Sequence, residues 1–233
     1  GAGTVADTAK RLGVTSEMKN NLSIALGTSE VTPLEIAGAY VPFSNGGYGV
    51  LPHVIRRIKT VDGKTLYSRS GDGRGRVIDR RLVGEMNMMM SETLVTGTGR
   101  KARLESGRPA GGKTGTSQDF RDAWFIGYTG NLTTAVWFGN DDNSPTRKAS
   151  GGGLPATVWK EVMDASHEGL PVADLPGVPD VPATVSAPRK PGPVETVGSG
   201  SEPIPPAPVG GGGEGNGERR GPLNLLRNLF GGG

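Results

Sequence analysis

The stretch "SGRPAGGKTGTSQDFRDAWFIGY", Ser106 to Tyr128, admits two incompatible readings. Gly107 to Thr114 fit the phosphate-loop pattern G-x-x-x-x-G-K-[ST]. That pattern works only with a buried apolar strand before its first glycine and a helix opening at the Lys-Thr pair. The residues ahead of Gly107, "GRKARLES", are charged, and Gly115 follows Thr114. Beyond it "DAWFIGY" is an apolar, aromatic run suited to a strand. Both requirements fail, so nucleotide binding is rejected and Lys113-Thr114-Gly115-Thr116 is read as a strand.

Side chains alternate along a strand, so Thr114 and Thr116 share a face while Lys113 points the other way. Two hydroxyls on one face can donate to a carboxylate, and an ammonium beside them supplies charge. Gly115 leaves the space between the threonines open, so that an extended peptide can lie alongside as an added strand. The backbone N–H of Thr116 is then placed to serve an oxyanion hole.

Outward from this strand the chain alternates clear elements. In "EVTPLEIAGAYVPFSNGG" Thr32 is an N-cap, Pro33 takes the first helical position and Glu35 completes a capping box. Pro42 and Gly46-Gly47 are expected to stop that helix. "HVIRRIKTVDGKTLYS" reads as a hairpin turning at Asp62-Gly63, followed by a mobile loop in "SRSGDGRGR". "DRRLVGEMNMMMSETLVTGTG" predicts a helix with Leu82, Met86, Met89 or Met90, and Leu94 on its inner face, ended by Gly97. Strands over about Ala123–Tyr128 and Thr133–Phe138 follow, joined at Gly130-Asn131. A last helix, "LPATVWKEVMDAS", turns Val158, Trp159, Val162 and Met163 inward. Helix, hairpin, helix, three strands and helix predict an α+β fold, an antiparallel sheet packed with helices.

Composition sets the limits. From about Pro171 Pro, Gly, Ser and Val dominate, and Phe230 is the one aromatic residue. Residues 1–168 are therefore expected to fold as one domain and 169–233 to form a disordered Pro/Gly-rich tail. At the extreme end Leu223, Leu226 and Phe230 fall on one helical face beside Arg219, Arg220 and Arg227, read as a transient helix. The net charge of +3 is a mild basic excess without interleaved aromatics, which argues against nucleic acid. No cysteine is present, and two histidines, His53 and His167, make a histidine-based metal centre an unsuitable reading; no cofactor is implied. No apolar run is long enough to span a bilayer and no signal peptide opens the chain. Its first residue is Gly rather than Met, so a piece of something longer or a processed product is expected.

Taken together, "RLGV", "SIALGTSEVTPLEIAGAYVPFSNGG", "LVTGTGRKA", "AGGKTGTSQDFRDAWFIGY", "AVWFGNDD" and "SGGGLPATVWKEVM" closely resemble the C-terminal half of the transpeptidase domain of class A, bifunctional penicillin-binding proteins. The resemblance runs from about Val5 to Met163, with several motifs in order at compatible spacing. It implies a penicillin-binding, serine β-lactamase-like fold whose N-terminal part is missing. It also makes Lys113-Thr114-Gly115-Thr116 the third active-site motif, with Lys113 catalytic and Thr114, Gly115 and Thr116 binding substrate. The implied reaction is peptidoglycan cross-linking: a serine attacks the D-alanyl-D-alanine carbonyl of a stem peptide, D-alanine leaves, and an amine of a neighbouring stem takes the acyl group. Implied partners are stem peptides, β-lactam antibiotics and cell-wall synthesis proteins. The implied place is the periplasmic, extracytoplasmic side of the plasma membrane, held by an anchor in the missing N-terminal part.

The family places an S-x-x-K nucleophile motif and an S-x-N motif upstream of K-T-G. The sequence holds one S-x-x-K match, Ser16-Glu-Met-Lys19, and no S-x-N. In the family the counterpart of "RLGVTSEMKNN" lies well after the nucleophile, so Ser16 is read as a capping residue at a helix start and Lys19 as solvent-facing. The chain is expected to be inactive alone. Two other readings carry the same strand: a D,D-carboxypeptidase or serine β-lactamase, and a catalytically silent binding or structural module.

Overall fold

The computed structural model describes residues 1–71 and 73–178. Its centre is a three-stranded antiparallel sheet in the order β3-β4-β5: β3 Ala110–Thr116, β4 Asp122–Thr129 and β5 Thr133–Gly139. A separate hairpin pairs β1 Arg57–Lys59 with β2 Thr65–Ser68. Four α-helices accompany them: α1 Ala2–Leu12, α2 Pro33–Ser44, α3 Arg80–Val95 and α4 Leu154–Ser166. The antiparallel sheet packed with helices is the architecture expected from the sequence.

Alternation along β4 builds two cores, one on each side of the sheet. On one side Phe125, Ala110 and Val136 meet Ala156, Trp159 and Met163 of α4, with Leu94 from the end of α3. Trp159 Nε1–H donates to the carbonyls of Gly127 (3.3 Å) and Thr134 (3.1 Å), so its one polar atom is satisfied while its rings fill the core. Gly127 must be glycine, because a Cβ there would lie 2.7 Å from Trp159 Cζ2. On the other side Tyr128 stacks on Phe43 (6.1 Å between centroids), with Tyr40 of α2 and Met86 and Met90 of α3 around it. Burial pushes the Tyr128 phenol well above its ordinary range. Its hydroxyl donates to Asn87 Oδ1 at 2.6 Å, and Asn87 Nδ2 donates to Phe43 O and Pro176 O. One buried amide thus joins α2, α3, β4 and the chain beyond α4.

Local sequence rules hold where the chain writes its own caps. Thr32 and Glu35 form the capping box, and Pro33 stands at the first helical position. The hairpin turns at Asp62-Gly63, where Gly63 has φ +89°. Four details differ. Pro42 does not stop α2, which continues to Ser44; with one turn left, a single missing N–H bond is outweighed by burying Pro42 and Phe43. The inner face of α3 is Val83, Gly84, Asn87 and Leu94, with Met86 and Met90 partly buried, while Met89 is 53% exposed. Val162 of α4 is exposed, because Ala156, Trp159 and Met163 already fill the groove over the sheet. Helix α1 has no side-chain cap to announce it, and it closes on Gly13 at φ +114°.

The packed body also runs past residue 168. Leu175 is 3% exposed in the core around Tyr128, and Gly177 lies against Gly84, where a Cβ would stand 2.5 Å from Gly177 O. A groove made by one glycine of α3 accepts this strap, a feature that average composition cannot register. The compact unit spans Gly1–Val178. The expected disorder of the tail and the Leu223, Leu226 and Phe230 face lie outside the described residues.

Candidate functional site

Lys113-Thr114-Gly115-Thr116 occupies the second half of β3, a strand with β4 on one side and no further strand on the other among the described residues. Lys113 sits in mid-strand, so no helix N-terminus faces a phosphate and the phosphate-loop pattern is accidental. The register pairs Lys113 with Ile126, Gly115 with Trp124 and Thr116 with Ala123. One step on, Ser117 N–H donates to Asp122 O at 2.9 Å. Bonded pairs alternate in an antiparallel ladder, so Gly115–Trp124 and Lys113–Ile126 are the bonded pairs. The N–H and C=O groups of Thr114 and Thr116 therefore point away from β4, towards the open edge.

The two threonines share a face, as the alternation requires, and each hydroxyl is held. Thr114 Oγ1 lies 2.6 Å from Thr98 Oγ1, and Thr116 Oγ1 accepts from Gly151 N–H at 3.0 Å. Both partners come from glycine-rich turns, "TGTG" after α3 and "SGGG" before α4. Gly151 lies flat on the strand: a Cβ there would stand 2.3 Å from Trp124 O and 2.5 Å from Gly115 O. Gly152 presses on Thr98 in the same way, with 2.3 Å to its carbonyl oxygen. From sequence alone Gly97 marks only the end of a helix, and nothing assigns Thr98 or Gly151 to the site; the clustered glycines are the available signal.

Lys113 projects from the opposite face and Nζ donates to Thr114 O at 2.8 Å, keeping the ammonium on the open edge. At Gly115 a Cβ would meet Trp124 Cβ at 3.3 Å, so crowding against Trp124 is a second reason for glycine there. Trp124 in turn pairs with Trp137 (6.2 Å), whose Nε1–H donates to Asp122 Oδ1 at 2.9 Å. The turn after β3 is braced by Thr146, whose N–H donates to Phe120 O at 3.0 Å; Asp119 and Phe120 both hold positive φ.

Ser16 and Lys19 are not brought to this strand as a pair. No helix starts at Ser16, which corrects its reading as a cap. Instead Ser16 Oγ donates to Glu35 Oε2 (2.6 Å), and Thr15 Oγ1 and the Thr15 and Ser16 N–H groups bond Glu35 Oε1. These bonds, the Ser16 hydroxyl first, hold the Glu35 carboxyl far below the usual carboxylate range. Among the described residues no helix is long and apolar enough to cross a membrane.

Residues 4–164 match the penicillin binding protein transpeptidase domain. The chain is 32% identical over 215 residues to penicillin-binding protein 1A of Pseudomonas aeruginosa, covering 70% of this chain and 26% of that protein. To penicillin-binding protein 1A of Neisseria cinerea it is 39% identical over 159 residues, covering 66% and 20%. Among solved structures it is similar to the PonA1 protein from Mycobacterium tuberculosis in complex with penicillin V, at 28% identity and TM-score 0.65, covering 76% of this chain and 53% of that one. It shares its fold with penicillin-binding protein 1A from Haemophilus influenzae at 24% identity and TM-score 0.67, covering 77% and 33%. The chain spans about a quarter or less of the curated relatives it matches.

Proposed function

The chain belongs to the penicillin binding protein transpeptidase domain family, and we propose that it forms the substrate-gripping wall of a peptidoglycan D,D-transpeptidase. The observation that supports this most is the open edge of β3, with the Thr114 and Thr116 hydroxyls on one face and their amides pointing outward. A stem peptide laid along this edge would gain main-chain bonds as an added strand. Its terminal carboxylate would accept from Thr114 and Thr116, whose hydroxyl hydrogens can rotate while their oxygens keep Thr98 and Gly151 in place.

The proposed chemistry is a serine acyl-enzyme cycle. A serine Oγ adds to the penultimate D-alanyl carbonyl, and the oxyanion is stabilised by the outward Thr116 N–H. The C–N bond breaks, and D-alanine departs with the proton taken from the serine. An amine of a neighbouring stem then attacks the ester, forms the new amide and returns the proton to the serine. Lys113 supplies positive charge beside the reacting group. β-Lactams would enter as mimics of the dipeptide and stop at the acyl-enzyme.

The nucleophile is assigned to the parent protein. The one S-x-x-K match in this chain commits its hydroxyl to Glu35 rather than to a lysine amine. This chain is therefore read as inactive alone. The parent is read as a membrane-anchored enzyme working on the extracytoplasmic side, with a glycosyltransferase module. The test is acylation by a fluorescent penicillin. The 233-residue chain should carry no covalent label, and the full-length parent should be labelled. Changing Thr114→Val and Thr116→Val in the parent should slow labelling about 100-fold, the scale of losing transition-state hydrogen bonds. Label at Ser16, or an unchanged rate in the threonine variant, would overturn the reading.

A further inference from the structure

The β1–β2 hairpin is exposed along its whole length, on both faces. A two-stranded hairpin is marginal in water without packing on one face. This one nevertheless presents Ile58, Val61, Leu66 and Tyr67 to solvent. Between residues 56 and 69 it carries Arg56, Arg57, Lys59, Lys64 and Arg69 against one carboxylate, Asp62. Among the described residues none of these five cations belongs to an ion pair. Basic residues just beyond the hairpin behave differently. Arg76 donates to Gly46 O at 2.6 Å and stacks 4.5 Å above Tyr48, and Arg74 reaches Lys10 O.

Register sharpens the contrast. Arg57 pairs with Ser68 and Ile58 with Tyr67, and Arg69 N–H donates to Arg56 O at 2.9 Å. Arg56 and Arg69 are thus directly opposite on the same face as Ile58 and Tyr67, while Arg57 and Lys59 occupy the other face. Like charges directly across a strand pair are destabilising. A carboxylate seated between the two guanidinium groups removes that repulsion and accepts bonds from both. Tyr67 beside them offers a ring for an apolar sugar face.

We propose that the β1–β2 hairpin is a docking arm for the uncross-linked wall polymer itself, a glycan strand whose stem peptides present carboxylates at intervals. The occupant follows from charge complementarity. Cations on both faces of a narrow ribbon suit a flexible chain that passes along it, with repeated carboxylates meeting separated cations and sugar faces meeting Tyr67 and Ile58. The proposal rests on the transpeptidase reading above, because it places a second contact on the polymer whose peptide end meets β3.

The test is co-sedimentation of the 233-residue chain with insoluble peptidoglycan, before and after chemical amidation of its carboxylates. A hairpin variant carries Arg56→Ser, Arg57→Ser, Lys59→Ser, Lys64→Ser and Arg69→Ser. A second variant carries Thr114→Val and Thr116→Val, and thermal melts confirm that both fold. The hairpin variant should bind about tenfold more weakly, and amidated polymer should weaken the unmodified chain by a similar factor. Binding of the unmodified chain should fall with added salt. Equal binding by the hairpin variant and the unmodified chain would sink the docking arm. If binding then disappeared in the threonine variant, the β3 reading would stand without it. Wild-type binding indifferent to amidation would exclude carboxylates as what is recognised. Retention by acidic proteins or anionic vesicles, with none by the polymer, would overturn the choice of occupant.

Discussion

Replacing Gly151 by alanine tests whether the loop before α4 is what positions the Thr116 hydroxyl. The added Cβ would fall 2.3 Å from Trp124 O, 2.5 Å from Gly115 O and 2.8 Å from Gly115 N. All three are backbone atoms of the paired strands β3 and β4, so no rotamer change can relieve them. The loop has to lift, and lifting breaks the 3.0 Å bond from Gly151 N–H to Thr116 Oγ1. Overpacking of this kind costs about 1–3 kcal/mol, and the hydrogen bond adds about 1 kcal/mol. A total of roughly 2–4 kcal/mol is expected in urea unfolding of the 233-residue chain, with unchanged m. Gly71→Ala is the control, because nothing lies within 4 Å of its Cβ and its φ is not positive; it should be neutral within about 0.5 kcal/mol.

A double-mutant cycle separates the steric from the hydrogen-bond part. Thr116→Val alone removes the acceptor of Gly151 N–H and should cost about 1 kcal/mol. In the Gly151→Ala background that bond is already broken, so the second change should add almost nothing, a coupling of about 1 kcal/mol. Additive effects, or a Gly151→Ala loss under about 0.5 kcal/mol, would refute the argument that the loop is clamped onto β3 through this contact.

Three further outcomes follow from the same geometry. Asn87→Leu should cost about 2–4 kcal/mol in chemical denaturation, because the Tyr128 hydroxyl and the Phe43 and Pro176 carbonyls lose a buried partner together. Leu175→Ala should cost about 2–4 kcal/mol if residues beyond α4 belong to the core, and a surface-like loss of a few tenths would place them outside it. Glu35→Gln bears on acid stability. The folded carboxyl titrates below its unfolded value, so its contribution is fully present above about pH 4.5 and is lost as pH falls towards the folded value. The variant should be less stable than the parent chain at neutral pH, and melting curves from pH 7 to 3 should converge on the acid side; a constant gap would contradict the assignment.

Much of the fold is legible because its signals are local. The capping box at Thr32 and Glu35, the Asp62-Gly63 turn and the apolar run of β4 are each decided within a few residues. The Lys113–Thr116 strand was legible for the same reason, since alternation alone fixes which side chains share a face. Long-range packing was not. Nothing near Pro42 says that its helix gains more from burying Phe43 than it loses at one N–H. Nothing near Leu175 announces a groove at Gly84, 91 positions earlier by the numbering of the two residues. The partners of the site were hidden likewise: Thr98 and Gly151 reach β3 only after α3 and α4 have folded back against the sheet.

That arrangement carries a mechanistic consequence. The hydroxyl oxygens of Thr114 and Thr116 are acceptors or partners for Thr98 and Gly151, so each keeps an O–H or lone pair available while its position is set from behind. Hydrogen-bond donors held in this way need no reorganisation when negative charge arrives, which is where an active site gains over water. The cost is borne by glycine: a Cβ at Gly151 or Gly152 would stand 2.3 Å from a carbonyl oxygen. Thr98, Gly151 and Gly152 are therefore positioning residues for the β3 edge. On the proposed transpeptidase reading, substitutions there should reduce acylation while leaving the chemical identity of every group on the edge unchanged.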